Sequence, residues 1–130
     1  MKLGRREFVT TTVGAGAYAL FAPAAVHGAE KMYGLIGKMV AVEGKRDELI
    51  KILVDGTSKM LGCISYVVAK DIRDPDGIWV TEVWNRKESH ANSLKLQEVK
   101  DAIVKGRPLI KSFDIYHETE PVGGHGSKKP

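Results

Sequence analysis

Between residues 62 and 84 the sequence permits little except two strands joined by an acidic turn. Gly62-Cys63-Ile64-Ser65-Tyr66-Val67-Val68 and Ile78-Trp79-Val80-Thr81-Glu82-Val83-Trp84 are rich in β-branched and aromatic residues, the types that suit a pleated, half-buried surface. Between them, Asp71-Ile72-Arg73-Asp74-Pro75-Asp76-Gly77 carries Pro75 to fix φ and Gly77 to supply the positive φ expected of a tight reversal. The segment predicts a β-hairpin. Along its second strand Val80, Glu82 and Trp84 alternate onto one face, and Trp79 and Thr81 onto the other.

The flanking segments supply the rest of a small fold. Residues 32–42 read as a first strand, with Tyr33, Leu35, Ile36, Met39 and Val40. The period then lengthens: Leu49, Ile50, Ile52, Leu53 and Met60 fall at helical spacing, which predicts an amphipathic helix over 45–60, ended by Gly62. After the hairpin, Asn85-Arg86-Lys87-Glu88 has the form of a capping box, so a helix is expected to start there. A break is expected near 94–97, a second helical stretch through Val99, Ala102 and Ile103, and a stop at Gly106 and Pro108. A last strand is expected over 112–118. The order strand, helix, strand, strand, helix, strand is that of a ferredoxin-like split βαβ, an α+β fold with one antiparallel sheet.

The chain has 130 residues, enough for one domain, and its 20 basic and 16 acidic residues leave a net charge of +4. Lys2, Arg5 and Arg6 against Glu7 account for half of that excess, and no basic stripe with interleaved aromatics follows, so nucleic acid is not an expected partner. The first 29 residues read as an export signal: a basic start, a weakly apolar Gly- and Thr-rich stretch too short to span a membrane, then small residues around Ala24 and Gly28. Gly4-Arg5-Arg6-Glu7-Phe8-Val9 resembles a twin-arginine (Tat) signal, which implies a periplasmic or secreted protein without stable membrane association. Residues 30–118 are then the folded domain. Residues 119–130, with Gly123, Gly124 and Gly126, read as a flexible tail. Cys63 is the sole cysteine, which excludes an intrachain disulfide; with no basic neighbour in sequence it reads as an inert core thiol. His117 and His125 have no ligand spacing with other donors, so no metal site is expected.

Gly62-Cys63 opening one strand and Glu82-x-Trp84 closing the next resemble the antibiotic biosynthesis monooxygenase family, over roughly residues 32–117. The resemblance implies a homodimer in which two sheets pack into an α+β barrel, with a pocket between sheet and helices in each subunit. It also implies oxidation of a small aromatic substrate by O2. No nucleotide-phosphate, flavin or haem-attachment motif is present, so a cofactor-independent reaction on a quinol, polyphenol or anthrone-like compound is expected, the substrate itself supplying the electrons. The alternative is a member that isomerises or only binds a small ligand. Haem cleavage is disfavoured: Gly37 stands where such relatives place an asparagine, and Ser93 and Ile103 near their tryptophan and histidine.

The expected catalytic residues are His90, Tyr66 and Asn92; the expected substrate-binding residues are Trp84, Glu82 and Val80. His90 lies six after Trp84 and four before Leu94, on the helix face turned to the sheet, and histidine is the usual general base near neutral pH. The competing reading is a packed, hydrogen-bonded histidine. Glu82 either orients His90 or is a structural carboxylate, and Trp84 is either a flat wall for an aromatic substrate or plain core. Tyr66 or Asn92 would stabilise an oxyanion. Val80 stands where some characterised members have an asparagine. Lys105 and Arg107 are candidates to hold an anionic group, or members of a solvated face.

Overall fold

The computed structural model describes residues 31–127. The export signal expected over 1–29 lies outside the described residues. Four strands, β1 (Tyr33–Ala41), β2 (Cys63–Lys70), β3 (Gly77–Trp84) and β4 (Ile110–Thr119), form one antiparallel sheet in the order β2-β3-β1-β4. Helix α1 (Arg46–Asp55) connects β1 to β2; α2 (Lys87–Ser93) and α3 (Gln97–Gly106), followed by a 3-10 turn (Arg107–Leu109), connect β3 to β4. This is the ferredoxin-like α+β fold that the order of elements predicts.

Register divides the sheet into two faces. Tyr66, Glu82, Leu35 and Glu118 form one cross-strand row, and Cys63, Trp84 and Tyr33 the next. These rows face the helices. A core of Ala41, Leu49, Ile78 and Val80 fills one end of that layer, and Tyr33, Leu35 and Trp84 form a second cluster at the other. On the opposite face Val67, Thr81, Ile36 and His117 make a row that stays exposed, with Val67 and Ile36 leaving apolar surface open to water.

Three local expectations are corrected. Helix α1 ends at Asp55, short of residue 60: Gly56 is where it crosses α3, with no space for a side chain beside Ala102, and Thr57 Oγ1 donates to the Leu53 carbonyl at 2.6 Å. The capping box does not form. Asn85 instead accepts from Ser89 Oγ at 2.6 Å, and α2 begins two residues later without a side-chain cap. Gly77 lacks the positive φ expected of it; its constraint is space, since a Cβ would lie 2.9 Å from that of Asp71.

The acidic turn is structural. Asp71 Oδ1 accepts from the amides of Arg73 and Asp74 at 2.8 and 2.9 Å, and Asp71 Oδ2 accepts from Trp79 Nε1 at 2.8 Å. Lys38 on β1 lies 3.2 Å from Asp74, and Arg46 at the head of α1 donates to the Asp74 carbonyl at 2.9 Å. The Trp79 hydrogen bond, the two amides and the Lys38 charge hold the Asp71 carboxyl at about 2. Because this folded value lies below the unfolded one, about 4, Asp71 stabilises the fold fully above that pH and loses its contribution as pH falls toward 2. Asp71→Asn is therefore expected to lower the melting temperature at pH 7, with the gap from the parent closing between pH 4 and 2. Thermal melts across that range check it; a gap independent of pH would assign the loss to turn geometry rather than charge.

Candidate functional site

Gly62 fixes where the site is built. It adopts φ +84°, accessible mainly to glycine, and a Cβ there would lie 2.5 Å from Ser89 Oγ. Asn85 N donates to the Gly62 carbonyl at 2.9 Å, tying the head of α2 to the start of β2. This close approach lays α2 over the end of the sheet where Trp84 and Tyr33 sit. His90, one turn further along α2, meets both: its ring centroid is 5.4 Å from Trp84, nearly edge-on, and 5.5 Å from Tyr33. Ser93 Oγ donates to the His90 carbonyl at 2.6 Å and firms the end of the helix.

A cavity of about 480 Å³ lies between the sheet and the three helices. Leu49, Leu53, Met60, Val99 and Ile103 give it a mainly apolar lining, and His90, Glu82, Trp84 and Tyr66 meet at one end. Glu82 accepts from Trp84 Nε1 at 2.8 Å, and its Oε1 stands 4.0 Å from His90 Nε2. Burial pushes the Glu82 carboxyl above its usual range, while the Trp84 N–H and His90 oppose that shift. Tyr66 is Glu82's cross-strand neighbour on β2; burial, then the Glu82 charge, push its phenol up, so it is a proton donor rather than a base. The thiol of Cys63 is likewise raised by burial, against the behaviour of a reactive nucleophile.

The structure thus brings His90, Glu82, Trp84 and Tyr66 to one place. Trp84 is at once core and wall, being 1% exposed and lining the cavity. Val80 and Asn92 do not join them. Val80 is packed with Ala41, Leu49 and Ile78 beneath α1, and Asn92 is exposed on a separate groove with Lys59 and Leu61. Arg107 lines the cavity, whereas Lys105 faces another groove beside Glu48 and Asp55.

Other neighbours were not singled out from sequence. Tyr33 donates its hydroxyl to Glu118 Oε2 at 2.6 Å, Lys87 Nζ lies 3.5 Å from the same oxygen, and the ammonium stands 5.6 Å from the centre of the Tyr33 ring. The Tyr33 hydrogen bond, then Lys87, hold the Glu118 carboxyl below its usual range. These groups support the Tyr33 ring on which His90 rests. The alternation of β1 put Tyr33 on the helix face, but nothing local paired it with residues more than fifty positions away. Among the described residues no cluster of His, Cys, Asp or Glu is arranged to hold a metal ion, and no helix is long and apolar enough to cross a membrane.

Comparison with known proteins identifies the family and the fold. Residues 32–105 match the profile of the family described as antibiotic biosynthesis monooxygenase. A crystal structure from Chloroflexus aurantiacus, provisionally described as an antibiotic biosynthesis monooxygenase, is 64% identical, with a TM-score of 0.73 over 75% of this chain and 99% of its own. A protein from Caulobacter crescentus with the same provisional description is 15% identical, with a TM-score of 0.66 over 73% of this chain and 93% of its own. Another from Bacteroides thetaiotaomicron is 10% identical, with a TM-score of 0.66 over 75% and 96%. The latter two show the fold alone. The search of curated proteins gives no match. On the family profile and the 64% identity, the chain belongs to the antibiotic biosynthesis monooxygenase family.

Proposed function

We propose that the protein is a cofactor-independent monooxygenase that oxidises an electron-rich phenol, quinol or anthrone-like compound with O2. The observation that carries this reading is the His90, Glu82 and Trp84 chain set in the wall of an otherwise apolar cavity. His90 takes the acidic proton of the substrate, and Glu82, held by the Trp84 N–H, stabilises the imidazolium so formed. The apolar walls exclude water from the substrate anion, which favours electron transfer from it to O2. Tyr66, kept protonated by burial, is placed to donate a hydrogen bond to the developing oxyanion. For an anthrone-like carbon the balance closes without an external reductant: CH2 becomes C=O, one oxygen atom enters the product, the other leaves as water, and the substrate provides four electrons.

Oxygen uptake by the purified protein with a panel of quinols and anthrones tests this reading. Stoichiometric uptake with one oxygen atom incorporated into the product (anthrone to anthraquinone, quinol to hydroxyquinone) and no H2O2 released supports it. Conversion of substrate without uptake would instead favour an isomerase. The same reading has two copies covering each other's open sheet faces, where Ile36 and Val67 stay exposed in the single chain. It also has the protein exported in folded form. Arg5 and Arg6 changed together to Lys are expected to leave the precursor in the cytoplasm, measured by fractionation; unchanged export would remove the twin-arginine assignment.

A further inference from the structure

The cavity has two chemically different ends. His90 and Glu82 occupy the end above Trp84 and Tyr33, whereas Arg107 and Lys111 line the other, beside Ile110 and Phe113. Along β1 these ends correspond to Leu35, paired with Glu82, and to Met39 and Ala41, paired with Phe113 and Ile110. Four residues of strand, from Leu35 to Met39, place the two levels roughly 13 Å apart before side chains reach inward. Glu82 is the cavity's one acidic lining residue among those described, and it is already engaged with Trp84 and His90.

Arg107 and Lys111 are the only described lysines or arginines that line the cavity. Lys31, Lys38, Lys45, Lys51, Lys70 and Lys87 each have a carboxylate within 4.0 Å, whereas the side chains of Arg107 and Lys111, like those of Lys59, Lys95, Lys100 and Lys105 away from the cavity, have no ion-pair or hydrogen-bond partner among the described residues. Arg107 and Lys111 are both exposed, so they stand where the cavity opens to water, and two such cations at the mouth of an apolar cavity attract an anion. Resting on the oxygenase reading above, we propose that the substrate is an aromatic acid. Its phenolic or activated carbon end meets His90 and Glu82, and its carboxylate is held by Arg107 and Lys111 at the far end. A neutral quinol fills the apolar part and leaves both cations unmatched. The volume of about 480 Å³ has room for a fused-ring acid with its two functional groups at opposite ends.

The test is a binding measurement with 6-hydroxy-2-naphthoic acid and its methyl ester, followed by tryptophan fluorescence and calorimetry at low salt. The acid is expected to bind about tenfold more tightly than the ester, consistent with two partly exposed charge pairs. In the Arg107→Gln, Lys111→Gln double variant that ratio is expected to fall to near one. In a control double variant, Lys95→Gln and Lys105→Gln, both off the cavity, it is expected to persist. Equal binding of acid and ester by the parent, or a ratio unchanged in the Arg107 and Lys111 variant, overturns the proposal. Because binding is read without turnover, acid preference without oxygen uptake would remove the oxygenase and keep the ligand class. Uptake without acid preference would do the reverse.

Discussion

Replacing His90 by alanine is expected to lower oxygen uptake by about 10²–10⁴-fold, the usual loss when a positioned general base is removed. The fold should survive. His90 contributes ring contacts with Trp84 and Tyr33 at 5.4 and 5.5 Å, and contacts of this kind are worth about 0.5–1.5 kcal/mol each. A fall in melting temperature of a few degrees with near-complete loss of rate therefore separates chemistry from packing. His90→Gln sharpens the separation, since it keeps a polar side chain on the same helix face but cannot take the proton. Both variants should bind substrate with affinity close to the parent while turning it over slowly. Parent-level uptake by either would assign the base elsewhere, and Glu82 would be the next candidate, since burial has already raised its carboxyl toward the range useful for proton transfer.

That prediction was reachable from the sequence because it needed only two periodicities. Alternation on β3 put Glu82 and Trp84 on one face, and helical spacing put His90 four residues before Leu94, on the face turned to the sheet. The same rule argues against Asn92: two residues beyond His90 is about 200° around a helix, and the structure finds it exposed on another groove. Val80 shares the face of Glu82, but alternation gives the face and not the depth. Leu49 of α1 covers that position and makes it core. The missed groups each depend on a contact between distant segments. Tyr33 meets Glu118 across 85 residues, and Lys111 lines the cavity at the start of β4, just past the 3-10 turn that follows α3. Helix α1 was expected to run to 60 because apolar spacing continues to Met60, while its actual end is set by the crossing at Gly56, which no local pattern encodes. The capping box failed for a related reason, since the Asn85 side chain is already used by Ser89.

Trp84→Ala is expected to destabilise the protein by about 3–5 kcal/mol, as for a large aromatic cut from a packed core. Trp84 is the largest fully buried side chain among the described residues and packs with Tyr33 and Leu35. Urea unfolding of parent and variant measures the difference, and a loss under about 1 kcal/mol would show that the cavity lining relaxes around the gap. The more informative companion is Trp84→Phe. It retains a ring in the core but removes the Nε1–H that Glu82 accepts at 2.8 Å, so it costs less stability and acts on the site instead. Burial already raises the Glu82 carboxyl, and the Trp84 hydrogen bond is the first of the two influences that hold it down. Without that donor the carboxyl moves further up and stays protonated to higher pH, where it can no longer stabilise an imidazolium at His90. The acid limb of the rate profile should therefore shift to higher pH in Trp84→Phe, with substrate affinity little changed. A profile that only drops in height would leave Trp84 as a wall alone and detach Glu82 from the proton transfer.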